Sequence, residues 1–316
     1  MVEIQTTSPT DAFKTSTPEY DYWSAAHSLA AEQLEFAVRS MILLTVFTGE
    51  HGSGKSTVLR KVLADTQHDL LVGLLAHDTM LYANPAGAIL KALGAEVDPA
   101  QSPAVLENVL RQSLSDARSV QGLATIIVDD AHRLSIDVLS KLFRLAGLHS
   151  GEAAALFKVV LVGQPDLCDR LSKDIYDLIG PAIELELMSE ADTAGYIMHR
   201  LKTAHSDDIS FTKEALQVAY DKTGGRPSLI NLLCKSALIT AKTLGLDHID
   251  AELVGNRRTP YAEKRSLQPD RTAQLKVTSK TAPQPAEAPV FKNTGPDHSE
   301  GAKRSSKPSK QLHSVN

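Results

Sequence analysis

Lys55 and Ser56 close the stretch Gly49-Glu50-His51-Gly52-Ser53-Gly54-Lys55-Ser56, which fits the spacing G-x-x-x-x-G-K-[ST]. The chemistry this spacing serves is anion binding. Glycines let backbone N–H groups turn inward around a phosphate, and a helix that starts just afterwards presents its positive N-terminus to the same anion. Lys55 is then placed to reach β- and γ-phosphate oxygens, and Ser56 to help hold Mg2+. A nucleotide is therefore expected against Gly49, Glu50, His51, Gly52, Ser53, Gly54, Lys55, Ser56 and Thr57, with the backbone of His51 mattering more than its ring.

Hydrolysis needs an acidic pair on a neighbouring strand, and Thr125-Ile126-Ile127-Val128-Asp129-Asp130 offers one. Asp129 ends an apolar run, where a carboxylate can meet Mg2+ directly or through water. Asp130 is then placed to orient or deprotonate the attacking water. Gln164 follows a further apolar run. Its amide either reaches the γ-phosphate or attacking water, or it belongs to an ordinary turn in which Pro165 starts a helix. Gly224-Gly225-Arg226-Pro227 breaks one helical pattern and starts another. Arg226 either senses the nucleotide from there or is a solvated arginine at a helix start.

These residues need a frame, and the intervening sequence supplies one. Residues 41–48, 69–77, 123–130 and 156–163 are short, largely apolar runs, as buried parallel strands require. Helical apolar spacing separates them, beginning with a helix from Ser24. Alternating strands and helices predict an α/β fold, a P-loop domain with a parallel sheet flanked by helices on both faces. Residues 182–188 alternate apolar with acidic, as a half-buried edge strand does. Three further helical patterns then predict a small all-α lid, the first opened by Ser189 and Asp192 as a capping-box-like pair. The expected boundaries are 1–22 (disordered N-terminus), 23–187 (α/β domain), 188–256 (lid) and 257–316 (disordered basic tail). The aromatic residues Tyr20, Tyr22 and Trp23 are expected to cover the core or a base pocket, and His132, His199 and Arg200 to serve packing.

Composition narrows the class. Hydrophobic residues make up 42% and charged residues 22% of the 316, enough for a packed core. No apolar run approaches the roughly 18–20 residues of a membrane span, and the N-terminus lacks the order of a signal peptide. The two cysteines, Cys168 and Cys234, lack metal-like spacing and read as small buried apolar residues. A cytoplasmic protein is expected, peripheral to the inner membrane at most. The net charge of −5 divides unevenly: residues 257–316 carry 12 Lys+Arg and 5 Asp+Glu, a net +7, against −12 for the remainder. Such a tail suits DNA, an anionic membrane or an acidic partner, or is simply solvated.

Taken in order, GEHGSGKST, IIVDDAH, LVGQPDL, YIMHRL and GGRPSLINLLCKSAL resemble the AAA+ ATPases of the general secretion pathway protein A (ExeA/GspA) type. The resemblance covers roughly residues 24–254. It implies binding and hydrolysis of ATP with Mg2+, with Lys55, Asp130 and Gln164 catalytic and Ser56 and Asp129 at the metal. It also implies nucleotide-dependent self-association and a protein partner in cell-envelope assembly, such as secretion or polysaccharide export. Related TniB- and MuB-like ATPases imply an alternative, an ATP-dependent DNA-binding adaptor. Three departures stand out. The family usually has Asp-Glu where this chain has Asp129-Asp130. Its arginines after the GQP helix are not matched, leaving Arg170 as a substitute. Its G-x-P-R has become Gly225-Arg226-Pro227-Ser228. A nucleotide switch with little turnover is therefore a third expectation.

Overall fold

The computed structural model describes residues 12–13 and 21–256, except 83, 99, 149–154, 181 and 205–208. The α/β part runs α1 (Ala25–Arg39), β1 (Leu44–Gly49), α2 (Lys55–Thr66), β2 (Val72–Ala76), α3 (His77–Tyr82), α4 (Pro85–Ala92), α5 (Pro103–Gln121), β3 (Thr125–Asp129), α6 (Ile136–Ala146), β4 (Lys158–Gly163), α7 (Lys173–Tyr176) and β5 (Ile183–Leu185). The lid follows as α8 (Glu190–Thr203), β6 (Ser210–Phe211), α9 (Lys213–Thr223), α10 (Pro227–Leu244), β7 (His248–Ile249) and α11 (Ala251–Gly255).

The five long-range strands form one parallel sheet in the order β2-β3-β4-β1-β5. Parallel pairing puts the ends of β1, β3 and β4 at one edge, where ligands bind in open α/β sheets. Period-two alternation sorts each strand between two cores. Val46, Ile126, Val128, Val159 and Leu161 join the cluster that includes Leu110, Leu139 and Leu142 of α5 and α6. Phe47, Ile127, Val160 and Val162 join the cluster formed with Leu34 of α1 and Val58 and Val62 of α2. Each such fully buried side chain contributes about 1.5–3 kcal/mol, which explains why these strands read as continuous apolar runs.

The sheet order corrects one expectation. β3, which carries Asp129, is not the neighbour of the phosphate-loop strand β1; β4 lies between them. Gln164, just past β4, therefore comes between the loop and the acidic pair. β5 is an edge strand, as expected, with burial alternating along Ile183, Glu184 and Leu185. Pro165 starts a 3-10 helix to Arg170 rather than an α-helix.

Helix starts follow their capping chemistry. The side chains of Ser24, Asn84, Ser102, Ser135, Ser189, Thr212 and Asp250 each accept a backbone N–H in the first turn of the helix that follows. At Ser189 the pair is only half a capping box: Ser189 Oγ accepts the Asp192 N–H at 3.1 Å and donates to the Asp192 carboxylate at 2.7 Å. In contrast, α2 starts on Gly54, which has no side chain to cap it.

The lid core gathers Ile197, Leu201, Ala215, Ile230, Leu233, Cys234 and Leu238 from α8, α9 and α10. Ala12 and Phe13 are buried in it as well, at 0% and 2% exposure, so this part of the segment expected to be disordered is packed. The rest of 1–20 and the whole of 257–316 lie outside the described residues. Beyond the three expected helices, the lid has α11 and a parallel two-residue pair of β6 with β7. Cys234 is buried and Cys168 half-buried, and both thiols are free.

Candidate functional site

The phosphate-loop sequence forms the turn its glycines predict. Gly52 and Gly54 take positive φ values of 75° and 108°, a region that favours glycine. The Lys55 ammonium is nearly buried and folds back on the loop, donating to the carbonyls of Gly49 at 2.8 Å and Glu50 at 2.9 Å. Burial pulls it below the ordinary lysine value, against the attraction of Asp130 and Asp129. Ser53 Oγ is buried and finds no hydrogen-bond partner. An uncapped helix end, a buried cation and inward-curving glycines make a cradle that fits a phosphate group.

A cavity of about 340 Å³ opens on this cradle. The loop and α2 line it with His51, Gly52, Gly54, Lys55, Ser56, Thr57 and Arg60; Asp129 and Asp130 come from the end of β3. Asp21, Tyr22 and His27 line it from the N-terminal side, and Tyr196, Arg200 and Asn231 from the lid. Gly49, Glu50, Ser53, Gln164 and Arg226 are not among the residues that line it.

The acidic pair is asymmetric. Asp129 Oδ1 accepts the backbone N–H of Asp130 at 2.9 Å. Burial lifts the Asp129 carboxyl above its ordinary value, and this hydrogen bond opposes the lift. Asp130 adopts the left-handed conformation, φ 51°, the one non-glycine residue with positive φ among those described. Such backbone costs of order 1–3 kcal/mol and tends to occur at functional sites. Its half-exposed carboxylate lies 4.0 Å from His77 Nδ1. Beside the pair, Gln164 Nε2 is 2.9 Å from His132 Nε2; with the amide as donor, the ring accepts. Burial keeps His132 below the ordinary histidine value, consistent with a neutral ring. Among the described residues no three His, Cys, Asp or Glu side chains form a metal cage. Ser56 and Asp129 nevertheless suit Mg2+, which keeps several waters and phosphate oxygens among its ligands.

The arginines are placed differently from one another. Arg226 donates to the Glu50 carboxylate, linking the lid to the phosphate loop. The same seam carries a backbone bond from Ser228 N–H to the Gly52 carbonyl at 3.2 Å. Arg170 Nη2 donates to the Leu134 carbonyl at 2.6 Å. Arg200, read as a packing residue, lines the cavity and donates to Tyr196 Oη at 3.0 Å, and that hydroxyl donates to Asn231 Oδ1 at 2.7 Å. Arg60 bonds Asp21 at 2.9 Å.

Sequence reading does not single out His27, Asp21, Arg60 or Asn231. The available signal was local: Ser24 at a helix start with His27 three residues on. Tyr22 does reach the cavity, with its ring edge-on to Tyr196 at 6.0 Å. Trp23 instead packs on the core beside β1, with the Lys61 ammonium 5.6 Å from its ring.

Comparison with known proteins agrees with this fold. Residues 40–171 match the AAA domain family. The chain is 29% identical over 232 residues to the general secretion pathway protein A of Aeromonas hydrophila, covering 72% of this chain but only 42% of that protein. In solved structures the fold resembles Cdc6p of Pyrobaculum aerophilum (TM-score 0.60, 19% identity, 76% of this chain and 67% of that one). It also resembles the Drosophila ORC bound to DNA (TM-score 0.56, 16% identity, 86% of this chain and 68% of that one). Both likenesses concern the fold alone. The chain thus has a P-loop α/β fold with a helical lid, its residues 40–171 match the AAA domain family, and over 232 residues it is similar to the general secretion pathway protein A.

Proposed function

We propose that this protein binds and hydrolyses ATP in the cavity beneath the lid and uses the cycle to drive or switch the assembly of a cell-envelope complex. The observation that carries the ATPase reading is the convergence of the loop, the uncapped start of α2 and the Asp129–Asp130 pair on one cavity. Similarity to the general secretion pathway protein A supports the envelope role.

In this reading Lys55 exchanges the carbonyls of Gly49 and Glu50 for phosphate oxygens. The loop N–H groups and the start of α2 bind the β-phosphate. Mg2+, when bound, supplies positive charge that neutralises the β- and γ-phosphates, and Ser56 and Asp129 are the residues that would hold it. Asp130 accepts the proton of the attacking water, and Gln164, steadied by His132, orients that water. Tyr22, Tyr196 and Asn231 enclose the base and sugar. Asp130 is a methylene shorter than glutamate. A catalytic group misplaced by about 1 Å can cost 10²-fold, so slow turnover by the protein alone is expected.

The test is ATP binding and turnover of the full chain beside Lys55→Ala and Asp130→Asn. Lys55→Ala is expected to lose binding. Asp130→Asn is expected to keep binding and lose turnover. Turnover unaffected by Asp130→Asn would remove that residue from the chemistry. Tight binding without turnover in the unaltered chain would leave a nucleotide switch.

A further inference from the structure

His27 lies in the first turn of α1, far in sequence from the phosphate loop, yet it is buried (2% exposed) and touches the loop directly. Its Nε2 is 3.0 Å from the Ser53 carbonyl oxygen, and its Nδ1 is 2.7 Å from Ser24 Oγ. A carbonyl only accepts, so Nε2 carries a proton. Burial holds the ring below the ordinary histidine value. In the neutral ring Nδ1 then accepts from the Ser24 hydroxyl, while Ser24 Oγ accepts the His27 backbone N–H at 3.3 Å. The Ser53 carbonyl thereby fixes the tautomer of the ring, and the Ser24 hydroxyl at the N-cap of α1 matches it as donor to Nδ1.

What the ring holds is one peptide group. The Ser53–Gly54 peptide is planar, and in the trans form its C=O and N–H point in opposite directions. With the carbonyl directed at His27, the Gly54 N–H is directed away from it, and Gly54 lines the phosphate cavity. A peptide that precedes glycine turns over easily, because glycine accepts φ of either sign. Turned over, it would present a carbonyl dipole to an anion. The His27 donor on the Ser53 carbonyl opposes this turnover at Gly54. The ring also packs closely: a Cβ on Gly54 would lie 2.4 Å from Nε2.

We propose that His27 is a positioning residue for polyphosphate binding, holding the Ser53 carbonyl outward through its Nε2–H so that the Gly54 N–H faces the phosphate. The proposal rests on the reading of the cavity as a nucleotide site. The role assigned to His27 runs through the loop backbone, by its contact with the Ser53 carbonyl.

The experiment is direct calorimetric binding of ATP and of ADP to the full chain, His27→Gln, His27→Leu and Lys55→Ala, well below every unfolding midpoint. Glutamine keeps a donor near the Nε2 position and leucine keeps bulk alone. His27→Leu is expected to weaken both nucleotides about tenfold or more and His27→Gln to stay within about threefold of the unaltered chain. Leucine matching the unaltered chain would overturn the proposal. Equal weakening by both substitutions would also overturn it, pointing to ring packing rather than the donor. No binding by the unaltered chain, or binding equal to that of Lys55→Ala, would instead remove the nucleotide reading and this proposal with it. Should His27→Leu fail to fold, long-range 1H–15N spectra of the unaltered chain decide. A neutral Nε2–H ring is expected, and an Nδ1–H ring would leave Ser53 without its donor and overturn the proposal.

Discussion

At Gly54 the backbone sits at φ 108°, and an added Cβ would meet the His27 ring at 2.4 Å. Left-handed backbone costs an ordinary residue roughly 1–2 kcal/mol, and the ring cannot withdraw without releasing Ser53. Gly54→Ala should therefore lower stability by more than about 1 kcal/mol and weaken nucleotide binding, read by thermal unfolding and titration. A variant with unchanged stability and affinity would show that this contact is slack. Lys158 argues a different point. It is buried at 4% exposure, and its Nζ donates to the carbonyls of Val38 and, at 2.9 Å, Ser40, at the end of α1. Burial pulls its pKa down to about 8. A lysine held lower in the folded state than in the unfolded one costs stability while both are charged. That cost is relieved as pH rises from about 8 toward the unfolded value near 10.4. The unaltered chain should thus gain up to about 3 kcal/mol relative to Lys158→Met across that window. Parallel denaturant curves from pH 7 to 10 would check it, and equal slopes would mean the ammonium is better solvated than its burial implies.

Between lid and α/β body the decisive element is the turn from α9 into α10. Gly225 has φ 73°, and a Cβ there would lie 1.8 Å from the Met188 carbonyl. Its own carbonyl accepts the Met188 N–H at 3.0 Å. Gly225→Ala must push the start of α10 away from Met188 and, with it, the Ser228–Gly52 bond. It is expected to lower the melting temperature and to weaken ATP more than a change on the exposed face of α10, such as Lys235→Ala; equal effects would count against the seam. This turn was legible as a helix break because Gly-Gly and Pro are local signals. So were the strands, whose apolar runs follow from burial on both faces, and the phosphate loop, whose glycines serve a local turn. Strand order was not legible: nothing in the composition of β3 or β4 tells which lies beside β1, so Asp129 was expected one strand closer than it is. His27 and Arg60 were missed for the same reason, since their partners Ser53 and Asp21 are distant in sequence. Ala12 and Phe13 went unread because two apolar residues in a polar stretch show no period.

Across the whole described molecule, the cavity wall is drawn from four stretches of chain: residues 21–27, the loop with α2, the end of β3, and the lid residues Met188, Tyr196, Arg200, Pro227, Ser228 and Asn231. No one of these stretches can enclose a nucleotide. The lid reaches the loop through Arg226–Glu50 and Ser228–Gly52, and the N-terminal segment reaches α2 through Asp21–Arg60 and the loop through His27–Ser53. A ligand that binds only the folded arrangement stabilises by RT ln(1 + [L]/Kd), about 2.7 kcal/mol at a hundredfold excess over Kd. Because the wall is shared, that free energy should be spread over all four stretches rather than confined to residues 49–57. Hydrogen exchange with saturating Mg-ATP is therefore expected to slow amides of the loop together with those at the start of α1 and the first turn of α10. Protection limited to the loop would mean that the nucleotide binds without engaging lid or N-terminal segment, and the lid could not then carry the nucleotide state to a partner. Protection of α10 lost in Lys55→Ala but retained in Asp130→Asn would tie lid engagement to binding rather than to hydrolysis. Hydrolysis then remains as the step that releases the lid.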